Sequence, residues 1–201
     1  MGAFYLAIYL TQLFNSMHQK NPWTIKDSKS MYQNAWIDVT EYDVLNPAGK
    51  PGIYGKVHFK NIAIGVVPIT PDMHTYLVGQ YRFTLDAYSW EIPEGGCPEG
   101  TDPLQTAIRE LKEETGLVAA AYKELMKLHL SNSVSDELAI IYLANGLMQQ
   151  DAEPEETESL QIKKVSLSDA YSMVADGTIT DAMSVAALTK IELLQVQGLL
   201  I

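Results

Sequence analysis

A chain of 201 residues, 47% hydrophobic and 19% charged, has the composition of one globular domain with at most a short appendage, not of a disordered protein. The single cysteine, Cys97, excludes an internal disulfide and a cysteine-rich zinc site and fits a reducing, cytoplasmic setting. A net charge of −11 excludes the phosphate-neutralising surface of a nucleic-acid binder and disfavours anionic membranes, yet it suits a protein that recruits divalent cations.

Residues 3–14 (AFYLAIYLTQLF) are apolar but too short to span a bilayer, and no basic run precedes them. A signal-like segment, an interfacial helix and a dimer contact all remain open for them. Met17 begins a more polar run and is a second conceivable start. Residues 18–34 read as polar and irregular, with Asn21-Pro22 favouring a turn. Residues 1–34 are therefore read as an extension and lead-in, and residues 35–201 as the domain proper.

From Ala35 the pattern becomes that of strands. Residues 35–42 (AWIDVTEY) alternate, and residues 53–59 (IYGKVHF) follow a turn-rich stretch. Residues 62–69 (IAIGVVPI) form an apolar run expected to be a buried strand. Residues 75–80 (TYLVGQ) are its partner across Thr70-Pro71-Asp72. Residues 89–92 are a short strand ending at Pro93, and residues 94–101 read as a glycine-rich loop.

The best-marked element follows. Asp102 is placed to cap a helix, Pro103 suits its first position, and Gln105 stands three residues after the cap. Leu104, Ala107, Ile108 and Leu111 share one face, and Gly116 ends the helix. Two strands come next, residues 122–131 and 137–144. They are followed by an acidic loop (149–159), a strand (160–165), a helix (168–176) and a final amphipathic helix (181–197). Strands around one central helix, closing in helices, predict a mixed α/β or α+β sandwich, not a doubly wound parallel sheet.

The chemistry is concentrated in Arg109-Glu110-Leu111-Lys112-Glu113-Glu114-Thr115-Gly116. Residues four apart on a helix point about 40° apart, so Glu110 and Glu114 share a side, with Glu113 beside them. Like charges at that spacing cost a helix a few tenths of a kcal/mol per pair. A hard divalent cation offsets this, and magnesium commonly serves phosphate chemistry. The plainer reading of such a run is a solvated acidic face. Gly95, Gly96 and Gly100 immediately upstream favour a ligand site, because glycine lets a backbone approach a ligand closely.

Gly95, a five-residue gap, Thr101, a seven-residue gap and then residues 109–117 resemble the Nudix box, Gly-x5-Glu-x7-Arg-Glu-U-x-Glu-Glu-x-Gly-U, where U is a bulky aliphatic. The departure is Thr101, where the family usually has Glu; Asp102 next door offers a substitute carboxylate. Trp90-Glu91-Ile92-Pro93-Glu94-Gly95, Gly79-Gln80-Tyr81-Arg82 and Gly177-Thr178-Ile179-Thr180-Asp181-Ala182 resemble segments of the ADP-ribose and nucleoside-diphosphate-sugar pyrophosphatases of that family. The resemblance implies an α/β/α sandwich with a mixed central sheet and N-terminal antiparallel strands, residues 35–61, that assist a homodimer.

It further implies a magnesium-dependent hydrolase, with manganese as a substitute. The enzyme would cut a nucleoside diphosphate sugar into a nucleoside monophosphate and a sugar phosphate. Other Nudix substrates (dinucleoside polyphosphates, NADH, nucleoside triphosphates) and a non-catalytic nucleotide-sugar sensor stay open. The metal ligands implied are Glu110 and Glu114, with Glu113 as ligand or water-positioning group and the Glu94 carbonyl as a further ligand. Arg109 is placed to hold a carboxylate, being four residues before Glu113. The general base is expected in the acidic loop, at Glu156 with Glu158 in reserve. Arg82, Glu91 and Gly95 are expected at the substrate, with Tyr81, Trp23 and Trp36 as stacking candidates. Cys97 and the scattered histidines His18, His58, His74 and His129 carry no metal-ligand spacing.

Overall fold

The computed structural model describes residues 20–150 and 160–200. The chain divides into two compact units, one comprising Asp38–Lys56 with the chain up to Gln33, the other Asn34–Ile37 and Val57–Ile201.

The first unit is built on a three-stranded sheet in the order β1 (Thr24–Gln33), β2 (Ile37–Leu45), β3 (Pro51–Phe59). The irregular lead-in expected over residues 18–34 is thus largely a ten-residue strand, antiparallel to β2 from Thr24↔Leu45 to Gln33↔Asp38. Every residue of β1 is exposed, so its sequence carries none of the alternation that marks a half-buried strand. Its ladder hydrogen bonds, not burial, define it.

The second unit holds the remaining strands and all the described helices. A mixed sheet runs β7 (Glu94–Pro98), β4 (Asn61–Pro68), β9 (Leu138–Gln149), β8 (Leu117–His129). Its central pair, β4 and β9, is parallel and the outer pairs are antiparallel. Ile64 and Val66 of β4, with Ile140, Tyr142 and Ala144 of β9, face the helix α1 (Pro103–Thr115) through Ala107 and Leu111. The alternate residues Val67, Ala139, Ile141 and Leu143 face α2 (Leu167–Ala175) and α3 (Ala182–Val196) through Leu167, Ala170, Met183, Ala187 and Leu188. Burial on both faces is why these strands read as continuous apolar runs, and it makes the unit the α/β/α sandwich expected. A second sheet, β10 (Gln161–Ser166), β5 (His74–Arg82), β6 (Ala87–Glu91), is antiparallel throughout.

The helix α1 starts and stops as its sequence dictates. The Asp102 side chain accepts from the Leu104 N–H at 2.9 Å, and Gly116, at φ 70°, donates its N–H to the Lys112 carbonyl. The glycine-rich stretch before it differs from the loop expected. Residues 94–98 are strand β7, paired with β4 from Gly65↔Glu94 to Asn61↔Pro98, and only residues 99–101 turn. Glycine stands within this strand because a side chain would have nowhere to go: a Cβ on Gly95 would overlap the carboxylate of Glu110.

Candidate active site

The start of β7 is fixed by three hydrogen bonds from three elements. The Ile92 N–H donates to Ser184 Oγ of α3 at 2.9 Å, and the Pro93 carbonyl accepts from the Val66 N–H of β4 at 2.8 Å. The Glu94 N–H donates to Glu114 Oε2 of α1 at 2.9 Å. With Gly95 lying against the Glu110 carboxylate, the residue pair 94–95 forms a backbone shelf over two of the three helix glutamates.

Glu114 is buried, the Glu110 side chain is 12% exposed and that of Glu113 is 26% exposed. Arg109 bridges the last two, with Nη2 at 2.5 Å from Glu110 and Nη1 at 2.5 Å from Glu113. Partial burial works against the guanidinium charge, but the two carboxylates more than offset it and hold the Arg109 pKa above its ordinary value. Three carboxylates and one guanidinium leave two negative charges, the charge of a divalent cation. The donors are hard oxygens. The chemistry of this set therefore fits such an ion.

Next to this shelf opens a cleft of about 640 Å³, its wall including Glu94, Gly95, Arg82, Glu91, Trp36 and Asp181. The Arg82 Nε lies 2.9 and 3.0 Å from the two oxygens of Glu91; its Nη2 also contacts Glu91 and reaches Glu94 Oε1 at 3.4 Å. Burial alone would raise the Glu91 carboxyl, but the Arg82 hydrogen bonds hold it below its ordinary value. Glu94 behaves oppositely: burial and the neighbouring charges of Asp181 and Glu91 push its carboxyl well above the ordinary range, with Arg82 opposing them. Glu91, Glu94 and Asp181 bring one oxygen each within 4.8 Å of one another. Glu137, also on the cleft wall, is raised by burial and by Asp181.

The structure thus brings Arg82, Glu91, Glu94, Gly95 and Trp36 to one cleft beside Glu110, Glu113 and Glu114. Tyr81 points elsewhere, its hydroxyl donating to Asp86. Trp23 belongs to the other unit, where it packs edge-on against Tyr54 at 5.3 Å between centroids. Glu156 and Glu158 lie outside the described residues. Sequence reasoning missed Asp181 and Glu137 as cleft residues. Asp181 was visible only within its motif and as the start of the last helix; it caps that helix, its side chain accepting from the Ser184 N–H at 2.7 Å. Thr101, in place of the box Glu, closes its turn by donating from Oγ1 to the Pro98 carbonyl at 2.6 Å and meets the Cys97 thiol at 3.0 Å.

Residues 59–187 match the NUDIX domain model, and the chain belongs to the Nudix family and is a Nudix hydrolase. It is 29% identical over 167 residues to an ADP-ribose pyrophosphatase of Bacillus subtilis (strain 168), covering 82% of this chain and 90% of that protein. It is 32% identical over 133 residues to a methanol dehydrogenase activator of Bacillus methanolicus, covering 65% of this chain and 72% of the relative. Among solved structures, a crystal structure of ADP compounds hydrolase superposes with a TM-score of 0.79 at 26% identity, over 90% of this chain and 98% of that one. The family generally uses a divalent metal. Among the described residues, no helix is long and apolar enough to cross a membrane.

Proposed function

We propose that this protein hydrolyses the pyrophosphate of a nucleoside diphosphate sugar of the ADP-ribose type, with magnesium as its cofactor and manganese able to replace it. The products are a nucleoside monophosphate and a sugar phosphate. The observation that carries this reading is the shelf of Glu94 and Gly95 clamped onto Glu114 and Glu110 at the edge of a cleft large enough for a nucleotide sugar. The similarity to an ADP-ribose pyrophosphatase and to an ADP compounds hydrolase supports the substrate class.

Glu110, Glu114 and the Glu94 carbonyl are the groups to hold the metal, and Glu113 is a further ligand or orients the water. When bound, the cation neutralises the pyrophosphate oxygens and lowers the pKa of the attacking water. Arg109 keeps Glu110 and Glu113 together. Glu156, with Glu158 in reserve, takes the proton of the attacking water. Trp36, 65% exposed on the cleft wall, offers a face for the base. Glu91 and Gly95 line the substrate channel.

A homodimer is part of the reading. The β1–β2–β3 sheet exposes Ile25, Met31, Tyr32 and Ile53, each by half or more, which a partner would cover. The reduced, buried Cys97 suits the cytoplasm.

A panel of ADP-ribose, other nucleoside diphosphate sugars, NADH, dinucleoside polyphosphates and nucleoside triphosphates, each with magnesium and with product identification, tests the proposal. AMP and ribose 5-phosphate released from ADP-ribose in preference to the other classes support it. Preferential turnover of a triphosphate or a dinucleoside polyphosphate, or magnesium-independent binding without cleavage, refutes it.

A further inference from the structure

Apart from the cleft described above, the second unit holds a cavity of about 420 Å³ between the edge of the mixed sheet and the C-terminal half of α3. We propose that this cavity is a binding site for an amphipathic anion: an aliphatic chain held among leucines, with an anionic head at Lys123 and Lys190. The site is independent of the hydrolase chemistry proposed above, and its size is that of a small-molecule site.

The cavity exists because α3 packs over β4 and β9, whereas β8 is the edge strand. Alternate residues of β8 and β9 face the helices, and the buried Leu143 is one of them. Its partner across the ladder is Lys123, and the next helix-facing pair is Ala121 and Asn145. A charged and a small residue thus stand on β8 where a large apolar pair would close the sandwich. Lys190 and Leu194, one turn apart on α3, form the facing wall. Gly198, at φ 66°, reverses the chain beyond that helix. The N–H groups of Leu199 and Leu200 then donate to the Leu194 carbonyl at 2.8 and 3.2 Å, which brings both leucines to the cavity.

The charge of the walls points to an anion. The chain has 25 acidic residues against 14 basic ones, yet among the described residues neither lysine has an ion-pair partner. Their surroundings explain this. The positions three and four residues from Lys190 are Ala186, Ala187, Leu193 and Leu194, none of them acidic. Glu124 adjoins the cavity, but its carboxylate pairs with Lys127 at 3.3 Å and, after burial, is the main influence raising the pKa of Tyr142 on the opposite face of the sheet. Two unpaired ammonium groups beside an aliphatic hollow suit a ligand that is anionic at one end and apolar at the other. An ammonium is a point charge that serves a carboxylate or a phosphate alike.

Isothermal titration calorimetry on the full chain tests this with octanoate, octyl phosphate, octanol and octylammonium, which share a tail and differ in the head. At least one of the two anions is expected to bind at a one-to-one ratio, about tenfold or more tighter than octanol or octylammonium, and the tighter anion identifies the head group. Losing one partly exposed ion pair costs up to about fivefold in affinity, so Lys123→Gln/Lys190→Gln is expected to bind about 10- to 30-fold more weakly. Ala121→Leu keeps both charges but fills the space, and it is expected to abolish binding. Lys26→Gln/Lys29→Gln removes the same charge from β1 and is expected to stay within about twofold of wild type. Thermal melts confirm that each variant is folded. Binding of neither anion at about 1 mM, the weak end of specific association, overturns the proposal. Equal binding of octanol or octylammonium overturns it too, as does wild-type affinity in either Lys123→Gln/Lys190→Gln or Ala121→Leu.

Discussion

Replacing Gly95 by alanine isolates the shelf from every other feature of the site. Gly95 is not among the residues with positive φ, so alanine meets no backbone penalty there. The added Cβ would stand 2.5 Å from Glu110 Oε2 and nearer still to Cδ and Oε1, where ordinary contact begins at 3.4 Å. The carboxylate must therefore retreat by about 1 Å or β7 must lift away from it, and a misplacement of roughly that size costs on the order of 100-fold in turnover. Overpacking of this kind costs about 1–3 kcal/mol of stability, a fall in Tm of roughly 2–12 °C for a chain of this length. Gly100 is the control: its φ of 83° strains an alanine by about 1–2 kcal/mol, but nothing lies within 4 Å of its Cβ position. Gly100→Ala is thus expected to lower Tm while leaving kcat within about twofold, since no ligand is displaced. Thermal melts and magnesium-dependent ADP-ribose turnover on both variants check this. Wild-type turnover and metal affinity in Gly95→Ala refute the idea that Gly95 and Glu110 form one structural unit of the site.

Other outcomes follow from the same geometry. Glu114→Gln keeps an oxygen for the Glu94 N–H, so the fold should persist while turnover falls by roughly 10³-fold or more as a metal ligand is lost; a far-ultraviolet spectrum with steady-state kinetics separates the two. Glu156→Gln should lower kcat about 100-fold or more with little change in manganese affinity, and a silent Glu156→Gln beside an impaired Glu158→Gln moves the base to the latter. The raised Glu94 carboxyl gives a stability signature in metal-free protein. The folded state holds that proton more tightly than the unfolded chain, so the stabilisation is complete below the ordinary carboxyl value of 4.5 and is lost as pH rises through the folded pKa. Glu94→Gln cannot lose it, so its Tm advantage over wild type should grow from acid toward neutral pH; an advantage that shrinks contradicts the assignment. Light scattering should give twice the chain mass of 22.3 kDa, and a monomer at micromolar concentration argues against the dimer.

Much of the sandwich was legible because its signals are local. The cap at Asp102, the stop at Gly116 and the two-sided apolar runs of β4 and β9 each report on burial or backbone geometry at the residue itself. The strand β1 was not legible, since none of its residues is buried and its pairing with β2 leaves no trace in composition. The strand character of residues 94–98 was hidden for a different reason. Glycines there answer to Glu110, fifteen positions downstream of Gly95, and to Asn61, whose Nδ2 lies 3.0 Å from a Cβ built on Gly96. Spacing along α1 found Glu110, Glu113 and Glu114. It could not show that Arg109 bridges two of them, nor that Asp181 converges with Glu91 and Glu94 from a distant part of the chain. Such convergence is a property of the folded chain.

The position of the metal is decisive, and anomalous scattering from manganese-soaked crystals locates it directly. The expected peak lies at coordination distance from Glu110, Glu114 and the Glu94 carbonyl. A peak held instead by the Glu91, Glu94 and Asp181 carboxylates contradicts that assignment.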